Sequence, residues 1–247
     1  MELLTLHGPA VYYDVDDRLL DAELRALIDR CTREQRRAAA EAMRNYIPND
    51  GSEVTDAALE ALLAAGREIR GIATEREITN AIPFHTRNVQ GVVRDAEVLR
   101  LRRAIDARVA KRLGKFFVPG EDPTVAPTGH LWYPPGGYMG WHTNSRFPGW
   151  RLYITHCPEG GRSYFRYRDP HSGTIQTSYD RPWHVRLFRV SAEQLLWHCV
   201  YAETDRFSLG YLVRPWSLRN AIVRRVRLAL APRVSFASSD TPAPLSV

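Results

Sequence analysis

The pattern of apolar and polar positions changes character near the middle of the chain. In the first half, apolar residues recur at the spacing of an amphipathic helix, whereas from about His130 onward they alternate with polar residues in short segments. The first helix is predicted to begin near Asp17. Its apolar stripe consists of Leu19, Leu20, Leu24, Leu27 and Ile28.

Three further helices are indicated by capping signals. The segment 32–35, with the sequence TREQ, resembles a capping box that opens a second helix through Met43, since its hydroxyl and amide groups can satisfy each other's backbone donors. A third helix is predicted over about 55–65 and a fourth over about 95–113, each followed directly by a glycine. The first half is therefore expected to be mainly helical.

The second half contains eight extended segments rich in Tyr, Trp, Val and Arg. Most are separated by Gly, Pro, Asn or Asp, which is typical of turns between antiparallel strands. Eight such strands predict a double-layered jelly roll and therefore a β-rich α+β fold. The predicted strands are 129–134, 138–143, 150–157, 162–168, 173–178, 184–190, 195–200 and 206–213.

These elements predict the domain organisation. We expect a mainly helical region over 1–125 that packs on the barrel, a β-barrel core over 126–232 and a flexible tail over 233–247 with the composition of a disordered segment. The segment 78–89 is neither periodic nor simply polar. It is interpreted either as a loop over the functional site or as an ordinary connection containing one strand.

Composition restricts the class of protein. In 247 residues, 44% are apolar, and no apolar run is long enough to span a membrane. No basic start followed by an apolar stretch opens the sequence, so we expect a soluble cytoplasmic protein. Three cysteines without paired spacing argue against disulfides and a thiolate zinc site. The net charge is +6, and the segment 219–227 is basic. We interpret this segment as a solvated surface in preference to a nucleic-acid-binding one.

Candidate chemistry lies on three predicted strands. His142 and Asn144 are two residues apart at the end of the second strand, so their side chains share one face, and His198 lies on the seventh strand. Two imidazoles on separate strands suit Fe(II). Arg206 and Ser208 open the eighth strand on one face, and a guanidinium beside a hydroxyl is a good carboxylate receptor.

The second half resembles the iron(II)- and 2-oxoglutarate-dependent oxygenases. The run 131–142, LWYPPGGYMGWH, is similar to the approach to the first iron ligand in the prolyl-hydroxylase-like branch, and Arg-x-Ser after the second His resembles the 2-oxoglutarate motif of other branches. The likeness covers about 85 of the 247 residues. It implies a double-stranded β-helix with Fe(II) on His142 and His198, and 2-oxoglutarate held by Arg206 and Ser208 with help from Tyr133.

Asn144 departs from this family, which has a carboxylate ligand at that position. The amide is interpreted as a weak third ligand in an active hydroxylase, as a residue that leaves the position to water or chloride as in related halogenases, or as the mark of a non-catalytic ligand-binding jelly roll. Asp180 or Asp169 could also complete the shell from another strand. We favour hydroxylation or a related oxidation of a C–H bond.

The substrate is the least determined property, and we expect a small molecule, an amino acid or a peptide. Six aromatic residues near the His segments are predicted to exclude water from the site. They are Trp132, Tyr138, Trp141, Tyr153, Phe165 and Trp197. Any inward-facing arginine would favour an acidic substrate. The candidates are Arg151, Arg166, Arg168, Arg186 and Arg189. No oligomeric state follows from the sequence.

Overall fold

A computed structural model describes residues 3–15, 17–71, 79–86 and 92–215. The predicted basic segment 219–227 and the predicted tail 233–247 lie outside these residues. None of the helices in the described ranges is both long enough and apolar enough to cross a membrane. All three cysteines are buried free thiols.

The described part of the N-terminal half contains four α-helices. They are α1 (Ala22–Ala38), α2 (Ala40–Met43), α3 (Asp56–Ala64) and α4 (Ala96–Leu113). The side chains of Asp21, Thr55 and Asp95 accept backbone N–H groups at the starts of α1, α3 and α4, which satisfies donors that the first helical turn leaves free. Short 3-10 turns occur at 17–19, 52–54 and 114–116.

The predicted capping box at 32–35 is wrong. Helix α1 runs continuously through Thr32, whose hydroxyl donates to the carbonyl oxygen of Asp29 within the helix. The buried face of α1 continues through Cys31, Thr32 and Gln35, so the apolar stripe persists where the local signal predicts a new start. Packing of that face against the core overrides the local capping preference.

Eleven strands form two sheets in the described residues. The strands are β1 (Tyr12–Val15), β2 (Thr79–Asn80), β3 (Ile82–Thr86), β4 (Pro123–Tyr133), β5 (Gly137–His142), β6 (Gly149–His156), β7 (Ser163–Arg168), β8 (Ile175–Tyr179), β9 (Trp183–Val190), β10 (His198–Ala202) and β11 (Arg206–Pro215). One sheet has the order β1-β9-β6-β11-β4-β3 and the other β2-β5-β10-β7-β8, with antiparallel pairing throughout.

The eight predicted strands correspond to β4 through β11, which form the jelly roll, so the predicted fold class is confirmed. The largest difference in bounds is at the start of β4, which begins at Pro123 instead of residue 129. Within the described ranges, the N-terminal half contributes three strands that the sequence analysis did not define. Strands β1 and β3 extend the first sheet and β2 extends the second, so the segment 79–86 is two sheet-edge strands instead of one.

The two sheets separate three apolar clusters. One lies between the first sheet and helices α1 and α4 and includes Leu24, Ile105 and Leu152. A second lies between the sheets and includes Phe165 and Phe188. The third covers the outer face of the second sheet, where α3 packs. Strands of the first sheet therefore alternate between a helix-facing core and the barrel interior, where the candidate site lies.

Candidate metal and anion site

Strand pairing brings the two candidate histidines together. His142 is the last residue of β5 and His198 the first of β10, and the Cα atoms of these two residues are partners in the register of the adjacent strands. Their ring centroids are 4.1 Å apart. A register shift between His198 and Val200 is consistent with a local bulge at this end of the pair. Residues 56 positions apart in sequence therefore meet at one point.

The hydrogen bonds of the two rings fix their tautomers. Nδ1 of His142 lies 2.8 Å from the carbonyl oxygen of Gly140, and Nδ1 of His198 lies 2.8 Å from that of Leu196. Because a carbonyl only accepts, each Nδ1 carries a proton and each Nε2 has a free lone pair. Histidines that bind a metal through one ring nitrogen commonly donate the N–H of the other to a carbonyl in this way.

The Nε2 atom of His142 is buried and has no hydrogen-bond partner within the described ranges. An unsatisfied buried acceptor is costly, so such an atom requires an explanation. A divalent metal bound by both Nε2 atoms would satisfy it. This orphaned atom is the observation by which the residues present fit a metal.

Burial keeps both rings neutral. Desolvation lowers the pKa of His142 to about 4, partly opposed by the hydrogen bond to Gly140. Burial and the neighbouring His142 ring hold the pKa of His198 well below its ordinary value. Neutral imidazole is the form that binds metal, so the pair is ready to bind a cation at neutral pH without losing protons.

Asn144 reaches the same point from the end of β5. Its Nδ2 lies 3.2 Å from Nε2 of His198 and donates to that lone pair. Asn144 is the one non-glycine residue with positive φ (56°) in the part of the chain that the structure describes. Asparagine is among the few residues that adopt this left-handed conformation readily. Rotation of the amide group would direct Oδ1 instead of Nδ2 toward the point where the two imidazoles meet.

Glu68 holds the residues on both sides of Asn144, a role that the sequence analysis missed. Its carboxylate accepts hydrogen bonds from Thr143 Oγ1 at 2.9 Å and Ser145 Oγ at 2.5 Å. Burial raises the pKa of Glu68, but the hydrogen bonds from Ser145, Thr143 and Arg70 outweigh this and keep it below its usual value. No sequence signal links Glu68 to a loop 75 residues away, so only the fold reveals the contact.

Neither alternative carboxylate completes a metal shell. In the described residues, no group of three or more His, Cys, Asp or Glu side chains is arranged to hold a metal ion. Asp169 accepts the backbone N–H groups of His171 and Ser172 in a turn, and Asp180 is bonded to two arginines. Of the residues considered from sequence, the structure brings His142, Asn144 and His198 together.

Arg206 is buried at the start of β11, where it has a carboxylate partner that the sequence did not indicate. Its Nε donates to Asp180 Oδ2 at 2.8 Å and its Nη2 to Thr155 Oγ1 at 3.3 Å. The two carboxylates nearest to Arg206 in sequence have other partners: Asp205 binds Arg36, and Glu203 binds Arg162.

The Nη1 atom of Arg206 remains available for an anion. It is buried and has no partner among the described residues. The Tyr133 ring lies 5.2 Å from the guanidinium, and burial raises the pKa of that phenol above its ordinary value. Ser208 lies two residues further along β11, buried on the same strand face as Arg206.

Asp180 also pairs with a second buried arginine. Nη1 of Arg186 donates to Asp180 Oδ1 at 2.5 Å, so one carboxylate bridges Arg186 and Arg206. The two guanidinium groups hold the pKa of Asp180 far below its usual range, despite the opposing effect of burial. With two cations and one anion, this cluster carries one net positive charge inside the barrel.

The predicted aromatic pocket is only partly present. Tyr153 and Phe165 lie between the sheets, and the Phe165 ring is 5.6 Å from His198. Phe188, which the sequence did not single out, lies 5.1 Å from the same ring. The other four residues belong to clusters on the outer faces of the sheets. They are Trp132, Tyr138, Trp141 and Trp197.

No protein-family model matches this sequence, and no curated protein matches it. Solved structures to which this chain shows similarity include a prolyl-4-hydroxylase from Pseudomonas putida, with 16% identity, coverage of 85% of this chain and 95% of that one, and a TM-score of 0.41. A prolyl hydroxylase from Trichoplax adhaerens, in complex with a peptide fragment of the hypoxia-inducible factor oxygen degradation domain, has 11% identity, 84% coverage of each chain and a TM-score of 0.39. The viral collagen prolyl hydroxylase of Paramecium Bursaria Chlorella virus-1 has 13% identity, coverage of 84% and 98%, and a TM-score of 0.37.

Proposed function

We propose that this chain is an Fe(II)- and 2-oxoglutarate-dependent oxygenase that hydroxylates or otherwise oxidises a C–H bond of a small molecule, an amino acid or a peptide. The observation that carries the proposal is the pair of buried imidazoles, whose Nδ1 protons are bound to backbone carbonyls and whose ring centroids are 4.1 Å apart. Two unprotonated Nε2 atoms on neighbouring rings at one end of a jelly roll suit a ferrous ion.

In this proposal, His142 and His198 bind iron through Nε2, and Asn144 turns its amide oxygen toward the metal as a neutral third ligand. A neutral ligand leaves more positive charge on the site than the usual carboxylate would, which favours binding of an anionic co-substrate. The Asn144 side chain lies against His198. An amide that binds the metal would leave no open position for a halide there, so we do not propose halogenation.

Arg206 is assigned to the carboxylate of 2-oxoglutarate that lies away from the metal. Its free, buried Nη1 would donate to the distal carboxylate of 2-oxoglutarate, with the hydroxyls of Tyr133 and Ser208 as candidate donors on the neighbouring positions. The net positive charge of the cluster of Arg186, Asp180 and Arg206 complements that carboxylate. Bound iron, 2-oxoglutarate and oxygen would supply the oxidising chemistry, in which oxygen converts the keto acid to succinate and carbon dioxide.

The protein's other contribution is exclusion of water. Phe165, Phe188 and Leu196 are fully buried around the inner side of the His pair. An apolar lining of this kind strengthens electrostatic interactions inside the site and limits side reactions of a reactive centre.

Succinate formation tests the proposal. Purified protein supplied with Fe(II), 2-oxoglutarate and oxygen is expected to release succinate, and His198→Ala is expected to abolish it. Arg206→Lys keeps the positive charge beside Asp180 but loses the guanidinium fork, so it should raise the KM for 2-oxoglutarate about tenfold or more. The exposed Arg214 provides the matched control, because Arg214→Lys should leave the KM unchanged.

The alternative function is a non-catalytic binding protein that uses the same cavity. It is favoured by one observation, the neutral amide of Asn144 where a carboxylate would be expected. The two functions differ in outcome: a binding protein would take up 2-oxoglutarate or another acid without producing succinate in the presence of bound iron. That result would contradict the oxygenase proposal.

A further inference from the structure

A second arginine lies inside the barrel near the His pair. Arg151 is on β6, where its Cα pairs with those of Leu212 and Phe188 on the two flanking strands. It shares a strand face with Tyr153 and Thr155, and Thr155 contacts Arg206 in the interior. The Phe188 ring lies 5.1 Å from His198, which places Arg151 beside the candidate metal site.

Arg151 is buried, but one of its hydrogen-bond donors has no partner in the described residues. It is only 6% exposed, and its Nη2 donates to the carbonyl oxygen of Phe147, in the loop that begins with Asn144. Its Nη1 is buried and lacks a hydrogen-bond partner, and no carboxylate forms an ion pair with it, within the described ranges. Burial lowers the pKa of this guanidinium, as expected for a cation without a paired anion.

An unpaired buried charge is among the most costly features a fold can contain. Three arginines are buried in the part of the chain that the structure describes. Arg186 and Arg206 share Asp180, whereas Arg151 has one carbonyl. A bound carboxylate would complete the set of donors of Arg151 and neutralise its charge. The same cost would keep neutral ligands from binding well, because they would leave the guanidinium unpaired.

Arg151 and Arg206 are suited to different anions. Leu212, the cross-strand partner of Arg151, is six residues beyond Arg206 on β11. Six residues of extended strand separate the backbone positions of the two arginines by roughly 20 Å, so their side chains enter the barrel interior at different levels. Arg151 lies at the end that carries His142, His198 and the 144–147 loop, which is where a substrate would approach the metal.

We propose that Arg151 is a specificity-determining residue that binds a carboxylate of the substrate, so that the substrate of this chain is an acid. The proposal rests on the proposed oxygenase function for the identity of the site, and it narrows the substrate class within it. The guanidinium would donate from Nη1 to the carboxylate while Nη2 keeps its bond to Phe147. This fixes the position of the acid relative to the His pair.

Matched acid and amide ligands test this proposal. Protein loaded with Mn(II), which replaces iron without supporting turnover, and saturated with 2-oxoglutarate is titrated calorimetrically with N-acetyl amino acids and with the corresponding N-acetyl amino acid amides. At least one acid is expected to bind ten times or more tightly than its amide. Arg151→Gln should remove this preference, and Arg214→Gln, which removes an exposed nearby charge, should retain it.

The proposal is overturned if no acid binds more tightly than its amide, or if Arg151→Gln retains the preference for the acid. It is also overturned if Arg151→Gln weakens the binding of 2-oxoglutarate by the same factor as the binding of the acid. Thermal unfolding of each variant confirms that it is folded. The titration is repeated on the metal-free protein. An acid preference that depends on Arg151 there, together with no succinate formation by the iron-loaded protein, would refute the oxygenase function while supporting the assignment of Arg151.

Discussion

His142 and His198 are cross-strand partners, and each imidazole is fixed by the backbone carbonyl two residues before it on the chain, at Gly140 and at Leu196. The two bonds have the same length, 2.8 Å, and both use Nδ1. Because the constraint comes from the backbone, the orientation of the rings does not depend on a metal. Rings fixed in this way lose little conformational entropy when they bind a cation.

The first prediction concerns the third ligand. Asn144→Asp should raise the affinity for Fe(II) or Mn(II) by about tenfold or more, because a carboxylate adds a negative charge beside two neutral imidazoles. Aspartate also tolerates the left-handed backbone at this position, so the change should not disturb the loop. Anaerobic titration calorimetry measures the effect.

Asn144→Ala is the matched comparison, and it should lower the affinity because it removes the amide oxygen. Equal affinities for the wild type and both variants would mean that residue 144 does not bind the metal.

The second prediction concerns Glu68. Glu68→Ala should weaken metal binding roughly tenfold, because Thr143 and Ser145 lose the acceptor that fixes the loop around Asn144. Glu68→Gln keeps an acceptor oxygen and should restore most of the affinity. Glu193→Ala removes the same charge at an exposed position and serves as the control. If Glu193→Ala has the same effect as Glu68→Ala, overall charge and not loop position is responsible.

The third prediction is a pH dependence of stability. The pKa of His142 is about 4 in the folded chain because of burial, whereas an unfolded histidine titrates near 6.5. Between these values the unfolded state binds the extra proton, so stability is full above about pH 6.5 and is lost as the pH falls toward 4. His142 alone should reduce the free energy of unfolding by about 2 kcal/mol between pH 7.5 and pH 5.

Urea denaturation of the metal-free protein at both pH values measures this difference. Glutamine does not titrate, so in His142→Gln the difference in free energy of unfolding between the two pH values should be about 2 kcal/mol smaller, whatever the absolute stability of the variant. An unchanged difference in the variant would show that His142 is not buried as a neutral ring.

The fourth prediction concerns the bridge between Arg186 and Arg206. Asp180→Asn removes the only charge partner of each among the described residues and should lower the free energy of unfolding by about 3–5 kcal/mol, because two buried guanidinium groups are left uncompensated. Asp169→Asn, in a half-buried turn where the amide oxygen can still accept the same two backbone N–H groups, should change it by less than about 0.5 kcal/mol. Denaturation curves of the two variants give the comparison, and equal losses would contradict the role of Asp180.

The strands of the barrel are predictable because each carries its own local signal. Segments such as β6 and β9 alternate in polarity and end at Gly, Pro or Asp, and their predicted bounds differ from the observed ones by a residue at most. Strand β1 was missed because it is only four residues long and pairs with β9 far along the chain. Its stability comes from that distant pairing and not from its own pattern.

The candidate site was predictable only where it depends on local spacing. The spacing of His142 and Asn144 on one strand and the placement of His198 on another are local properties, and the structure brings these three side chains together. The contacts of Glu68, the bridge through Asp180 and the unsatisfied Arg151 depend on sheet register and burial. No spacing in the sequence specifies which carboxylate meets which arginine inside a barrel.

Anaerobic Fe(II) titration of the wild type, His142→Gln and His198→Gln shows whether the two histidines bind one metal ion. We expect one iron per wild-type chain and binding weakened roughly a hundredfold or more in either variant, with circular dichroism confirming that both remain folded. Absence of iron binding by the folded wild type, or undiminished binding by both variants, would rule out a metal shared by the two histidines.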